Sequence, residues 1–210
     1  MILIDIGNTN IVFAVSANNL IKKIIRINTK QNKIKLKTLI NSIIVNYSSI
    51  KKLDNDKIAI ISSVVPSLNS IITDILKKNL LKGFVIKSKD IMPFLKINYN
   101  LKEIGADRLA NSVAIIRSKI SNSIVIDFGT ATTFEVIKNN IFLGGIIFPG
   151  INLSKNTLIN EASLLKNTEV MKTKKIIAKN TKESIQSGFY WGYLSMINGI
   201  ISNIGRRISN

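Results

Sequence analysis

The chain has 210 residues, of which 46% are hydrophobic and 20% charged, with eleven Gly, three Pro, no Cys and no His. It is long and apolar enough to bury a core, which excludes a disordered chain, a collagen repeat, a disulfide scaffold, a Cys- or His-based metal centre and any hydrolase that depends on imidazole. The net charge of +18 arises from 30 Lys and Arg against 12 Asp and Glu, but 25 of the 30 are Lys spread over both halves, the pattern of a solvated surface rather than of a nucleic-acid footprint.

The first ten residues hold no basic segment and meet an acid at Asp5, so they read neither as a signal peptide nor as a membrane span, and a cytoplasmic protein is expected. Ile2 to Ile4 predicts a strand. The polar, Gly-containing turn Asp5 to Asn10 and a returning strand from Ile11 to Val15 complete a hairpin. A third strand from Leu20 to Asn28 follows. Leu36 to Tyr47 carries apolar residues at helical spacing, Ile58 to Ser62 reads as a strand buried on both faces, Ser67 to Leu80 as a helix and Gly83 to Ile86 as a short strand. Hairpin strands followed by alternating helix and strand make an α/β domain, which the sequence assigns to residues 1–104.

Residues 105–210 are assigned to a second domain. It opens with a helix from Ala106 to Arg117, and Ser123 to Ile137 then repeats the device of Met1 to Val15: apolar strand, Asp, apolar residue, Gly, polar residue, returning strand. At an offset of 122 residues Asp127 matches Asp5, Gly129 matches Gly7, Thr130 matches Asn8 and Thr132 matches Asn10. Two related domains facing one another across a cleft are expected, each offering one Asp-x-Gly turn. Ile141 to Phe148 is a further strand, broken by Gly144-Gly145 and closed by Pro149-Gly150; a double Gly weakens a strand unless a bulge or a close approach needs it. Helices from Ser154 to Leu165 and from Thr181 to Ile201 complete the reading, the latter carrying Phe189, Tyr190, Trp191, Tyr193 and Met196 as packing residues.

An Asp-x-Gly-Asn-Thr turn suits polyphosphate chemistry. Gly7 lets the backbone approach phosphate oxygens, neighbouring N–H groups and Asn8, Thr9 and Asn10 can donate to them, and Asp5 can hold Mg²⁺ directly or through water. No Gly-x-x-x-x-Gly-Lys-Ser/Thr and no Gly-x-Gly-x-x-Gly after a strand is present, so P-loop and dinucleotide folds are set aside. Gly105-Ala106-Asp107-Arg108 opens the helix leading into the second hairpin. There Asp107 can accept the proton of an alcohol, with Glu103 as the fallback base, while Arg108 can grip a carboxylate or steady a transferring phosphoryl group.

Asp5 to Asn10, Gly105 to Arg108, Asp127 to Thr133, Gly144 to Gly150 and Asn180-Thr181 stand in the order and spacing of type III pantothenate kinases, and over residues 1 to about 200 the chain resembles that family. The resemblance implies two actin-like (ribonuclease H-like) domains and ATP-dependent phosphorylation of the pantothenate hydroxyl, giving 4'-phosphopantothenate, the first step of coenzyme A synthesis. It implies an ATP phosphate loop at Asp5, Ile6, Gly7, Asn8, Thr9, Asn10, Ile11 and Val12, with Thr130 as a second ATP contact. Asp107 resembles the proton acceptor, with Gly105, Ala106, Asp107, Arg108 and Thr181 around pantothenate. Asp127 resembles the ligand of a monovalent cation, K⁺ or NH₄⁺, required besides Mg²⁺. The family works as a homodimer, and no membrane or nucleic-acid partner is implied.

The sequence departs from the family pattern at Asn98 and Leu101, where Tyr and Pro are common, and at Glu135, where Asp is usual; Tyr99, one position on from Asn98, is the expected substitute at the pantothenate site. The family pattern also continues beyond Asn210 with a Thr-Gly-Gly turn and further strands, so a C-terminally shortened second domain is expected. A non-catalytic nucleotide-binding or regulatory protein of the same fold is the alternative reading.

Overall fold

The computed structural model describes residues 1–18, 20–48, 57–162 and 168–208, which divide into two compact units: residues 1–120 with 140–142, and residues 121–139 with 143–210. In the first unit, β1 (Ile2–Ile6) pairs antiparallel with β2 (Asn10–Ala17), and β2 with β3 (Leu20–Asn28). On its other side β1 pairs in parallel with β4 (Ile58–Ser63), and β4 with β5 (Lys82–Val85), giving the order β3-β2-β1-β4-β5. Helices α1 (Lys33–Ser48) and α2 (Pro66–Lys78) supply the cover.

The alternation of a strand explains which residues face that cover. Ile2, Ile4 and Ile6 of β1, Ile11, Phe13 and Val15 of β2, and Ala59 and Ile61 of β4 join one cluster with Leu36, Ile40, Ile44 and Tyr47 of α1 and Ile72 and Leu76 of α2. Each such fully buried Ile or Leu is worth roughly 1.5–3 kcal/mol against leaving it exposed. Leu3 and Asp5 point to the opposite face of β1, where Asp5 is exposed. Burial of β4 on both faces, expected from its continuous apolar run, is not what forms: Ala59 and Ile61 are fully buried, whereas Ile58 and Ile60 are only half-buried.

Two short elements went unseen in the sequence, α3 (Ser88–Ile91) and β6 (Lys96–Ile97). Both are too brief to show a period. The two residues of β6 pair in parallel with Ile141 and Phe142, the start of β9 (Ile141–Pro149). A second cluster of Ile91, Leu95, Ile104, Leu109 and Phe142 forms around α4 (Ala106–Arg117). The sequence assigned α4 to residues 105–210; its packing on α3 and β4 counts it with the first unit.

In the second unit β9, β8 (Ala131–Lys138) and β7 (Ser123–Phe128) lie side by side, with β7 and β8 antiparallel. Phe134 and Val136 of β8, with Ile124 and Ile126 of β7, pack against Met196, Ile197, Ile200 and Ile204 of α6 (Thr181–Ile208). This helix runs seven residues beyond the expected end at Ile201. Helix α5 (Ile151–Glu161) begins three residues before the expected Ser154, and residues 163–165 of its expected end lie outside the described residues. Gly144 has φ 128°, a conformation closed to most side chains, which explains the first Gly of the pair inside β9. Among the described residues no helix is long and apolar enough to cross a membrane.

Candidate functional site

The first turn is closed by its glycine. Ile6 and Ile11 are the last paired residues of the hairpin, and the Gly7 N–H donates to the Asn10 carbonyl at 2.9 Å. A Cβ on Gly7 would stand 3.1 Å from that same oxygen, tighter than a side chain ordinarily packs. Two neighbours fix the turn from either side. Thr29, just past β3, donates its hydroxyl to the Gly7 carbonyl at 2.8 Å and its N–H to the Thr9 carbonyl at 2.8 Å. Val64, just past β4, donates its N–H to the Ile6 carbonyl at 3.0 Å. Ile6 and Ile11 are fully buried, so only their backbone can serve a ligand, whereas Asn8 is exposed at the tip.

The second turn uses the same closure with one residue fewer. Asp127 lies opposite Thr133, Phe128 and Thr132 are the last pair, and the Gly129 N–H donates to the Ala131 carbonyl at 2.9 Å. Ala131 therefore plays the part of Asn10, which the uniform offset had given to Thr132. Behind this turn stands Gly150, whose N–H donates to the Thr130 carbonyl at 2.9 Å. A Cβ on Gly150 would run into the carbonyl oxygens of both Gly129 and Thr130. Gly150 is also the N-cap of α5, so the amide end of an eleven-residue helix abuts the turn, a setting that favours anions. Asp127 and Thr130 are exposed, and the departing carboxylate Glu135, opposite Val125, is fully buried.

The third group is built on the first turn of α4. Gly105 is its N-cap in extended conformation, and the Asp107 carboxylate folds back so that Oδ1 accepts the Arg108 N–H at 2.7 Å. A Cβ on Gly105 would collide with that Oδ1 and stand 3.2 Å from Val64 Cγ1. The glycine thus makes room for the acid two residues on in sequence. Val64 touches both groups, through its N–H to Ile6 and its methyl beside Gly105, and so links the first turn to the Asp107 helix. Arg108 is 6% exposed; its guanidinium carbon lies 5.9 Å from the Tyr99 ring centre and 5.7 Å from that of Phe142. The Tyr99 ring thus lies beside Arg108 of the motif, one position on from Asn98.

Beside this helix a cleft of about 670 Å³ is lined by Ser63, Lys87, Lys102, Glu103, Gly105 and Ala106, among others. Glu103 is exposed and accepts the Asn100 amide at 2.7 Å. Thr181 begins α6 on the second unit, where it rims an apolar cavity of about 580 Å³ walled by Phe148, Leu158, Phe189, Tyr193 and Met196. The first turn, Tyr99 and Gly105 to Arg108 belong to the first unit, and Asp127, Thr130 and Thr181 to the second. Thr29, Val64 and Phe142 were not legible as site residues: a Thr after a strand and a Phe inside one carry no local signature. The Ser63-Val64-Val65-Pro66 stop after β4 was a signal only for the end of a strand.

Among the described residues no three Asp, Glu, His or Cys side chains gather to cage a metal ion. A family profile described as type III pantothenate kinase matches residues 1–203. The type III pantothenate kinase of Pelagibacter ubique (strain HTCC1062) is 37% identical over 203 residues, which cover 95% of this chain and 79% of that protein. That of Sulfurihydrogenibium sp. (strain YO3AOP1) is 39% identical over 211 residues, 97% of this chain and 82% of that protein. A Campylobacter jejuni crystal structure described as a conserved Baf family transcriptional activator aligns with TM-score 0.58 at 21% identity, over 95% of this chain and 79% of that one, a likeness of fold.

Proposed function

The chain belongs to the type III pantothenate kinase family, and from that premise we propose which of its residues carry the reaction. The enzyme transfers the γ-phosphoryl group of ATP to the terminal hydroxyl of pantothenate, releasing ADP and 4'-phosphopantothenate, the first step of coenzyme A synthesis. Each unit is an actin-like half that opens with an Asp-ended strand and a Gly-closed turn.

The ATP phosphates lie against the turn from Asp5 to Val12, held by backbone amides and by Asn8, Thr9 and Asn10, with Thr130 of the second turn as a further contact. The observation that carries the acceptor chemistry is the fold-back of Asp107. With Oδ1 held by the Arg108 N–H, the other carboxylate oxygen is presented to the pantothenate hydroxyl and takes its proton as the oxygen–phosphorus bond forms and the bond to ADP breaks. Gly105, Ala106, Arg108 and Tyr99 surround the acceptor, and Thr181 completes its site.

Asp5 and Asp127 are single carboxylates at strand ends. This donor set fits ions held largely by phosphate and water, Mg²⁺ at Asp5 and K⁺ or NH₄⁺ at Asp127, rather than a protein cage. Such cations, when bound, offset the charge of the phosphates. A homodimer fits the apolar cavity between α6, β9 and α5, whose Phe148 and Leu158 are exposed. The spread of Lys gives no stripe for a nucleic acid, and a cytoplasmic enzyme is consistent with its substrates.

Incubating the purified protein with radiolabelled ATP, Mg²⁺, K⁺ and pantothenate should yield labelled phosphopantothenate; no transfer under these conditions refutes the kinase reading. Asp107→Asn should lower kcat by about 100-fold or more, the scale of losing a general base, with ATP affinity unchanged. An unaltered rate would remove Asp107 from the role.

A further inference from the structure

We propose that Phe142 is a positioning residue for the acceptor: with Tyr99 it holds the Arg108 guanidinium in a single orientation. This rests on the kinase reading above, in which Arg108 faces pantothenate. Tyr99 and Phe142 meet edge to face, centroids 6.0 Å apart with their planes at 90°. The guanidinium carbon is 5.9 Å from one ring centre and 5.7 Å from the other, so the three groups form a nearly equilateral triangle. Two perpendicular rings make a corner, and a flat cation seated in it keeps favourable contact with both faces in few orientations. An isolated Arg side chain carries much rotamer freedom, while recognition by its N–H fork needs the plane aligned.

The corner is itself rigid. Phe142 is fully buried among Ile91, Leu95, Ile104 and Leu109, its backbone pairs with Ile97, and its carbonyl accepts the Asn98 N–H at 2.9 Å. The same two-residue strand that fixes Phe142 therefore delivers Tyr99, two residues past its end, to the ring. From the other side Ser112 donates its hydroxyl to the Arg108 carbonyl at 2.8 Å and fixes the backbone. Asn98 spends its N–H on this strand pairing. The aromatic that covers the guanidinium is supplied one position later, and the departure from the family pattern leaves the Arg108 site with its ring.

Steady-state kinetics of Phe142→Leu, Phe142→Tyr and Tyr99→Leu test this, with the melting temperature of each variant recorded. Phe142→Leu should raise KM for pantothenate about tenfold, the scale of one lost cation–aromatic contact, while kcat and KM for ATP stay within about threefold of the parent. Phe142→Tyr keeps the ring face and should restore KM. Tyr99 is 40% exposed, so Tyr99→Leu spares the core even if Phe142→Leu fails to fold; because Tyr99 also borders the acceptor, its rise in KM supports the corner only where it too vanishes in an Arg108→Gln background. In an Arg108→Gln background the Phe142 effect should vanish. A parent enzyme that phosphorylates pantothenate together with an unchanged KM in Tyr99→Leu, a parallel rise in KM for ATP, or a Phe142→Tyr as impaired as Phe142→Leu overturns this role alone. A parent enzyme with no transfer overturns the kinase reading instead.

Discussion

The two Gly-closed turns spell nearly the same motif and are built differently. In each, a glycine N–H reaches the carbonyl that ends the turn at 2.9 Å, but the first spans from Ile6 to Ile11 and the second from Phe128 to Thr132, one residue tighter. The first is braced by loops that follow other strands of its sheet, through Thr29 and Val64. The second is braced by the entrance of a helix, through Gly150. Equal sequence devices thus acquire different lengths from whatever stands behind them: the first turn is held by side-chain and backbone bonds from neighbouring loops, the second by a backbone bond and a steric fit at a helix entrance.

The sharpest way to break this comparison is to add one methyl group to a glycine at each turn, the one behind the second and the one that closes the first. Gly150→Ala should be the most damaging change, because its Cβ meets two backbone carbonyls that cannot give way; a loss of about 3 kcal/mol in urea unfolding and a raised KM for ATP are expected. Gly7→Ala, whose Cβ would lie 3.1 Å from a single carbonyl, should cost about 1 kcal/mol. If Gly7→Ala proves the costlier of the two, the difference in steric room assigned to the two turns is wrong.

Removing one hydroxyl from behind each turn is a gentler probe. Thr29→Val deletes the bond to the Gly7 carbonyl while keeping shape, and about 1 kcal/mol should be lost, with weaker ATP binding seen by calorimetry. On the other side, the Tyr193 hydroxyl donates to the Pro149 carbonyl at 2.8 Å and so accepts a hydrogen bond from the Ser154 hydroxyl, 2.8 Å away. Tyr193→Phe should loosen the residue just before Gly150 by at most about 1 kcal/mol, part of that bond being exposed to water. Loss of ATP binding in Tyr193→Phe greater than in Thr29→Val would reverse the order.

The smallest effect is expected remote from both turns. Tyr47 is 1% exposed, its hydroxyl has no hydrogen-bond partner among the described residues, and burial raises its pKa above the ordinary 10.0. An acid whose folded pKa lies above its unfolded value contributes nothing against stability below pH 10, and destabilises as pH climbs from 10 through the folded pKa, because only the unfolded chain ionises freely. Tyr47→Phe should therefore be neutral or stabilising by up to about 1 kcal/mol at pH 7 and should resist alkaline unfolding better than the parent. A parent and variant with parallel stability curves above pH 10 would dismiss the burial of that hydroxyl.

Local elements were legible wherever a period or a punctuation residue marked them. Leu20–Asn28 and Ala106–Arg117 have the bounds expected of them, and both hairpins lie where Asp, Gly and polar residues interrupt apolar strands. The brevity of β6 and α3 left them unread, although β6 is what brings Tyr99 to Phe142. Gly105 was legible as a motif residue but not as the space that Asp107 fills, since the reason lies in a side chain folding back through three dimensions.

Residue order and chemistry alone determined the α/β class, the paired Asp-x-Gly turns, the acid at position 107 and the family, because strand alternation, glycine punctuation and carboxylate identity are written locally. Only the tertiary structure decided that the second turn is one residue shorter, that Val64 joins the first turn to the Asp107 helix, that α4 packs with the first unit and that Arg108 sits in an aromatic corner. Each of these depends on contacts between residues far apart in the chain, where packing and hydrogen-bond closure choose among local conformations that the sequence leaves close in energy.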